Sequence, residues 1–141
     1  MTNYISDYYT WTKEQAELLK LKRFEQVDWE HLIEEIEELG NSRENALESY
    51  LERLLEHLLK LSYWESEKEY CTRGWKAEIT NFRVQIKKII RKNPALKNKI
   101  ETIWTEIYPE RISVMSKLFS IPDTDNNITL DNALLDDWFP D

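Results

Sequence analysis

Apolar residues recur along this chain at helical spacing, and no stretch alternates apolar and polar positions as a half-buried strand would. "TWTKEQAELLKLKRF" reads as a short first helix. Thr12 and Gln15 form a capping-box pair, and Ala16 and Leu19 supply its apolar side. Asp28 then has the chemistry of an N-cap, followed by Trp29, Leu32, Ile33, Ile36 and Leu39 at helical spacing. Gly40-Asn41 reads as a C-terminal stop, because glycine takes the left-handed turn without a steric penalty. A third helix is expected from Ser42 to about Trp64, with Leu47, Leu51, Leu54, Leu55, Leu58 and Leu61 in one stripe.

"ESEKEYCTRG" lacks a sustained stripe and reads as a connection. The fourth helix has the clearest pattern: Trp75, Ile79, Phe82, Ile86, Ile89 and Ile90 share a face, and Lys76, Arg83, Lys87, Lys88, Arg91 and Lys92 occupy the others. Asn93-Pro94 marks a boundary, with proline in the first turn of the next helix. This fifth helix carries Leu96, Ile100, Ile103 and Ile107, and Pro109 is expected to kink or break it. Ile112, Met115 and Phe119 continue on a rotated stripe. "IPDTDNN" reads as a loop, and "TLDNALLDDWFPD" as a short last helix whose Trp138-Phe139 pair docks on the core. The sum is an all-α antiparallel bundle of five to six helices, one domain over residues 1–141.

Composition narrows the class. A chain of 141 residues can bury a real core without disulfides, and Cys71 is its only cysteine. No signal-peptide pattern opens the chain and no run approaches a membrane span, so the expected setting is the cytoplasm, without a membrane partner. The net charge of −8 is unevenly spread. Residues 25–69 hold 14 acidic and 4 basic side chains, whereas residues 70–99 hold 1 acidic and 9 basic. Two oppositely charged helices packed side by side account for this. The sharper alternative is a basic face that meets an anionic partner.

Candidate chemistry is sparse. "DWEHLIEEIEELG" sets His31, Glu34 and Glu38 on the polar side of its helix and Glu35 on the rim. His57 sits at the edge of the leucine stripe. If the second and third helices pair antiparallel, Glu35 reaches His57, as a structural hydrogen bond or as a carboxylate-oriented base or metal site with Glu34 or Glu38. Most of the acidic stretch reads as a solvated face. No cofactor is predicted, and a divalent metal at that cluster is the alternative. Serine-nucleophile motifs, a glycine-rich phosphate loop and paired CxxC motifs are absent. Aromatic and basic residues beyond the stripes, namely Trp64, Tyr63, Tyr70, Arg73, Lys76 and Arg83, form a candidate interaction surface.

Five segments, "DYYTWTKEQAELL", "RFEQVDWEHLIEEIEELG", "LERLLEHLLKLSYW", "RGWKAEI" and "TLDNALLDDWFPD", resemble, in this order and spacing, the bacterial and mainly cyanobacterial domain-of-unknown-function family 29. The resemblance spans almost the whole chain. It implies an all-helical cytoplasmic protein with no established activity, and a shared polar cluster with counterparts of Glu34, Glu35, Glu37, His57 and Trp75. "SEKEY" is more acidic than the family pattern, and Pro109 falls where the family continues its helix. The favoured function is non-enzymatic: a helical protein that binds a protein partner or a second copy of itself. A metal-dependent enzyme or metal-binding protein is the alternative. Nucleic-acid binding through the basic fourth helix ranks last, because the overall charge is negative.

Overall fold

The computed structural model describes residues 3–122 and 128–140. Five α-helices follow one another: α1 (Tyr8–Lys20), α2 (Trp29–Tyr63), α3 (Glu65–Lys92), α4 (Ile100–Met115) and α5 (Leu130–Leu134). Short 3-10 turns at Phe24–Gln26 and Pro94–Lys99 precede α2 and α4. No strand occurs among the described residues, so the all-α expectation holds. Contacts divide the chain into two compact units, residues 1–42 and 43–141. Part of the expected "IPDTDNN" loop, residues 123–127, lies outside the described residues.

In the first unit α1 begins earlier than the capping-box reading places it. Asp7 caps it, its carboxylate accepting the Thr10 N–H at 3.1 Å. Thr12 sits inside the helix and donates its hydroxyl to the Tyr9 carbonyl at 2.7 Å. Gln15 is not available to a capping box, because its amide oxygen accepts the Asp28 N–H at 2.7 Å. The helix ends with Lys22 in the left-handed region at φ 58, its N–H on the Leu19 carbonyl and the Arg23 N–H on the Leu18 carbonyl. Those two bonds satisfy carbonyls that the helix end would otherwise leave open. Trp11 and Gln15 are buried against the start of α2. Tyr4 and Tyr8 meet Glu35 while Gln15 meets Asp28, so α1 and the first turns of α2 run antiparallel.

The expected stop at Gly40-Asn41 is not formed. One helix runs unbroken from Trp29 to Tyr63, and neither glycine has a positive φ. A glycine inside a helix costs about 1 kcal/mol relative to alanine, too little to break a helix whose hydrogen bonds continue on both sides. The second and third predicted helices are therefore a single element.

The second unit is built on the leucine stripe. Leu47, Leu51, Leu54, Leu55 and Leu58 are wholly excluded from solvent, and Ile79, Ile86, Ile107 and Ala133 join them in one core. Only Trp64 separates α2 from α3, and pairs such as Tyr50 with Phe82, His57 with Glu78 and Trp64 with Trp75 show that the two run antiparallel. Glu44 with Lys99 and Glu56 with Arg111 keep one offset, so α4 lies parallel to α2.

Two further expectations are corrected here. "ESEKEYCTRG" is not a connection but the first turns of α3. It shows no stripe because most of those turns face water, and Glu65 and Glu67 favour a helix start by facing its positive end. Pro109 does not break α4, which continues to Met115; Ile107 before it and Met115 after it are both buried in the same core. The short last helix forms as expected, with the Thr129 hydroxyl accepting the Asn132 N–H at 3.1 Å, and Trp138 and Phe139 pack against the core.

Candidate functional site

Glu35 and His57 face different neighbours. The route that was expected to join them, two antiparallel helices, is closed because both residues sit on the one helix α2. Glu35 accepts hydrogen bonds from the hydroxyls of Tyr4 and of Tyr8, the latter at 2.6 Å. These two donors hold its carboxyl below the usual range, and the bond to Glu35 pushes the Tyr4 phenol up to about 12. Glu34 and Glu38 lie exposed beside it, lining with Tyr4, Glu37 and Asn41 an open acidic hollow of about 410 Å³.

His57 joins α2 to α3. Its Nδ1 lies 2.8 Å from the Arg53 carbonyl, which can only accept, so this nitrogen carries a proton. Its Nε2 pairs with Glu78, and the ring stands edge-on to Phe82 with centroids 5.1 Å apart. The half-buried histidine thus has Glu78 rather than Glu35 as its carboxylate partner. Among the described residues no three Asp, Glu, His or Cys side chains come together as metal ligands.

Beside Glu35 stands a polar and aromatic cluster that the sequence pattern does not show. Asp28 receives the Trp11 indole N–H at 3.0 Å and the His31 ring at 2.8 Å. The His31 bond lowers the Asp28 pKa and, reciprocally, raises that of His31. Tyr4 stacks on His31 with centroids 4.3 Å apart. Gln15 completes the set, its Oε1 on the Asp28 N–H and its Nε2 buried with no acceptor among the described residues. Sequence reasoning missed Tyr4, Tyr8 and Gln15. The only signal was the density of aromatics before the first helix, which does not name their partners.

The remaining apolar face of the first unit is open. Trp29, Ile33, Ile36 and Leu39 are 46%, 53%, 60% and 64% exposed, against the expectation that this stripe enters a core. Behind them a groove of about 260 Å³ runs between α1 and α2, floored by Leu19, Leu32, Ile36 and Leu39 and walled by Tyr8 and Ala16.

The surface proposed around the start of α3 separates into parts. Tyr70 is 80% exposed, and Arg73 and Lys76 also reach solvent. Trp64 stacks between Trp75 and Phe119 at 6.0 and 5.1 Å, and Tyr63 packs on the same core. Arg83 is not a surface residue: it is 1% exposed and donates to the carbonyls of Ala133, Asp136 and Trp138 at 2.7, 3.2 and 2.7 Å. Lys87 pairs with Asp136, and Lys76 lies over the Phe139 ring at 5.0 Å. Three of the basic side chains of α3 thus hold the C-terminal tail.

No helix among the described residues is long and apolar enough to cross a membrane. The pattern of the family described as domain of unknown function DUF29 matches residues 3–139, and the chain belongs to that family. Comparison with curated proteins and with solved structures found no match.

Proposed function

We propose that this DUF29 family member works by binding another polypeptide through the apolar face that opens α2, and not by catalysing a reaction. The observation that carries the reading is the set Trp29, Ile33, Ile36 and Leu39, four large apolar side chains along one side of a helix and each about half or more exposed. A contiguous apolar face of this kind is unfavourable in water and marks an interaction site. Covering each of these half-exposed side chains is worth about 1 kcal/mol. A partner that also fills the groove along Leu19 and Leu32 adds to that sum. The exposed glutamates Glu30, Glu34 and Glu37 flank the face with charge, as the polar rim of an interface does.

The test is photocrosslinking in whole cells. A photoreactive residue replaces Ile36 in one version of the full chain and Glu106, an exposed position on α4, in another. The reading expects a discrete protein adduct from position 36 that is absent from position 106. Equal labelling at the two positions, or none at either, refutes it.

A further inference from the structure

We infer that the crevice beside the C-terminal end of α3 is a binding site for a linear alkyl carboxylate, its chain lying on isoleucine and leucine side chains and its carboxylate meeting Arg91 and Lys97. The site belongs to the second unit and is independent of the apolar face that opens α2.

The last turns of α3, the 3-10 turn Pro94–Lys99, the first residue of α4 and the end of α5 together line a solvent-open cavity of about 290 Å³. Its apolar surface comes from Ile86, Ile90, Ile100 and Leu134. Ile86 is 1% exposed, whereas the other three pack on the core and are only half-buried. The part of each that the core does not cover is what the crevice presents. Its size is at the small end for small-molecule sites, which suits one chain of medium length.

The charge beside that surface has one sign. Residues 86–100 hold six basic side chains and no acidic one. Among the described residues that line the crevice, the polar side chains are Lys87, Arg91 and Lys97. Lys87 is already paired with Asp136. Arg91 and Lys97 are exposed and make no ion pair among the described residues. The carboxylates nearest along the chain, Glu101, Asp131, Asp136 and Asp137, are exposed and do not line it; the last two line a neighbouring hollow. An apolar floor with two uncompensated cations fits a ligand that is apolar along its length and anionic at one end. The arginine fork takes a carboxylate through two parallel N–H donors. No neutral polar side chain lines the crevice, so the N–H and C=O groups of a peptide laid there would lose water without gaining partners. An alkyl chain has no such groups to satisfy.

The experiment is calorimetric titration of the full-length protein with decanoate. The expected result is one saturable equivalent at submillimolar concentration. Decanol, the chain without the charge, binds about tenfold more weakly, and acetate, the charge without the chain, about a hundredfold or more. Arg91→Gln with Lys97→Gln, both at exposed positions, weakens decanoate by about tenfold and leaves decanol unchanged. Ile90→Asp weakens both ligands, with the helical circular dichroism as the check on folding. Acetyl-leucyl-leucine, which carries the same carboxylate on a peptide backbone, tests a polypeptide occupant. No saturable decanoate binding, binding indifferent to the Arg91 and Lys97 exchange, or acetyl-leucyl-leucine bound as tightly as decanoate overturns the inference.

Discussion

Arg83→Met removes the group that fastens the tail. Arg83 is buried on α3 and gives three hydrogen bonds to carbonyls of Ala133, Asp136 and Trp138, with its guanidinium carbon 5.1 Å from the centre of the Phe139 ring. Charge-assisted bonds contribute about 1.5 kcal/mol or more each, so three set a scale of about 4.5 kcal/mol. Part of that is recovered, because the three carbonyls regain water once the tail lifts away. Burial itself lowers the Arg83 pKa, a sign that desolvation opposes the bonds. The expected net loss is about 3 kcal/mol. Arg83→Lys keeps the charge but brings one nitrogen where three had been, and is expected to lose about 2 kcal/mol. Urea unfolding gives the stability, and hydrogen exchange over residues 128–140 shows where it is lost. Arg83→Met within about 0.5 kcal/mol of wild type, with exchange in the tail unchanged, would refute the reasoning.

Gly40→Ala is expected to stabilise the protein by about 0.5–1 kcal/mol, since the residue is helical, lacks a positive φ and has nothing within 4 Å of an added methyl; a urea midpoint that falls instead would mean the helix does end there. His31 has a raised pKa, chiefly from its bond to Asp28, so it contributes stability that is complete below its ordinary value of 6.5 and is lost as the pH rises through the raised one. Asp28, lowered by the same bond, contributes above its ordinary 3.8 and loses that as the pH falls through its lowered value. Hydrogen exchange of the α1–α2 hairpin should accelerate beyond the intrinsic rate as the pH rises from 6.5 through the raised His31 value in the wild type but not in His31→Gln, and parallel profiles for the two proteins would remove His31 from the account.

Where a side chain's role depended on neighbours a few residues away, the sequence showed it. The leucine stripe from Leu47 to Leu61 and the Asp28 cap, whose carboxylate accepts the His31 N–H, arise from local spacing and chemistry. Gly40 misled for a local reason. Its preference is worth about 1 kcal/mol, and continuing helix on both sides outweighs it. The polar first turns of α3 misled in the opposite way, since a helix end standing in water needs no apolar stripe.

By itself, the sequence determined an all-helical chain, a leucine-lined core and the family to which the protein belongs, because periodicity and motif order are written along the chain. Tertiary structure decided which polar groups meet. Arg83 finds its carbonyl partners 50 to 55 residues away, Tyr4 finds Glu35 31 residues away, and His57 takes Glu78 in place of Glu35. It also decided that Trp29, Ile33, Ile36 and Leu39 stay exposed although their spacing is that of a core helix. The spacing requires only that an apolar face be shared by these residues. What covers that face depends on everything else that packs, within the chain or beyond it.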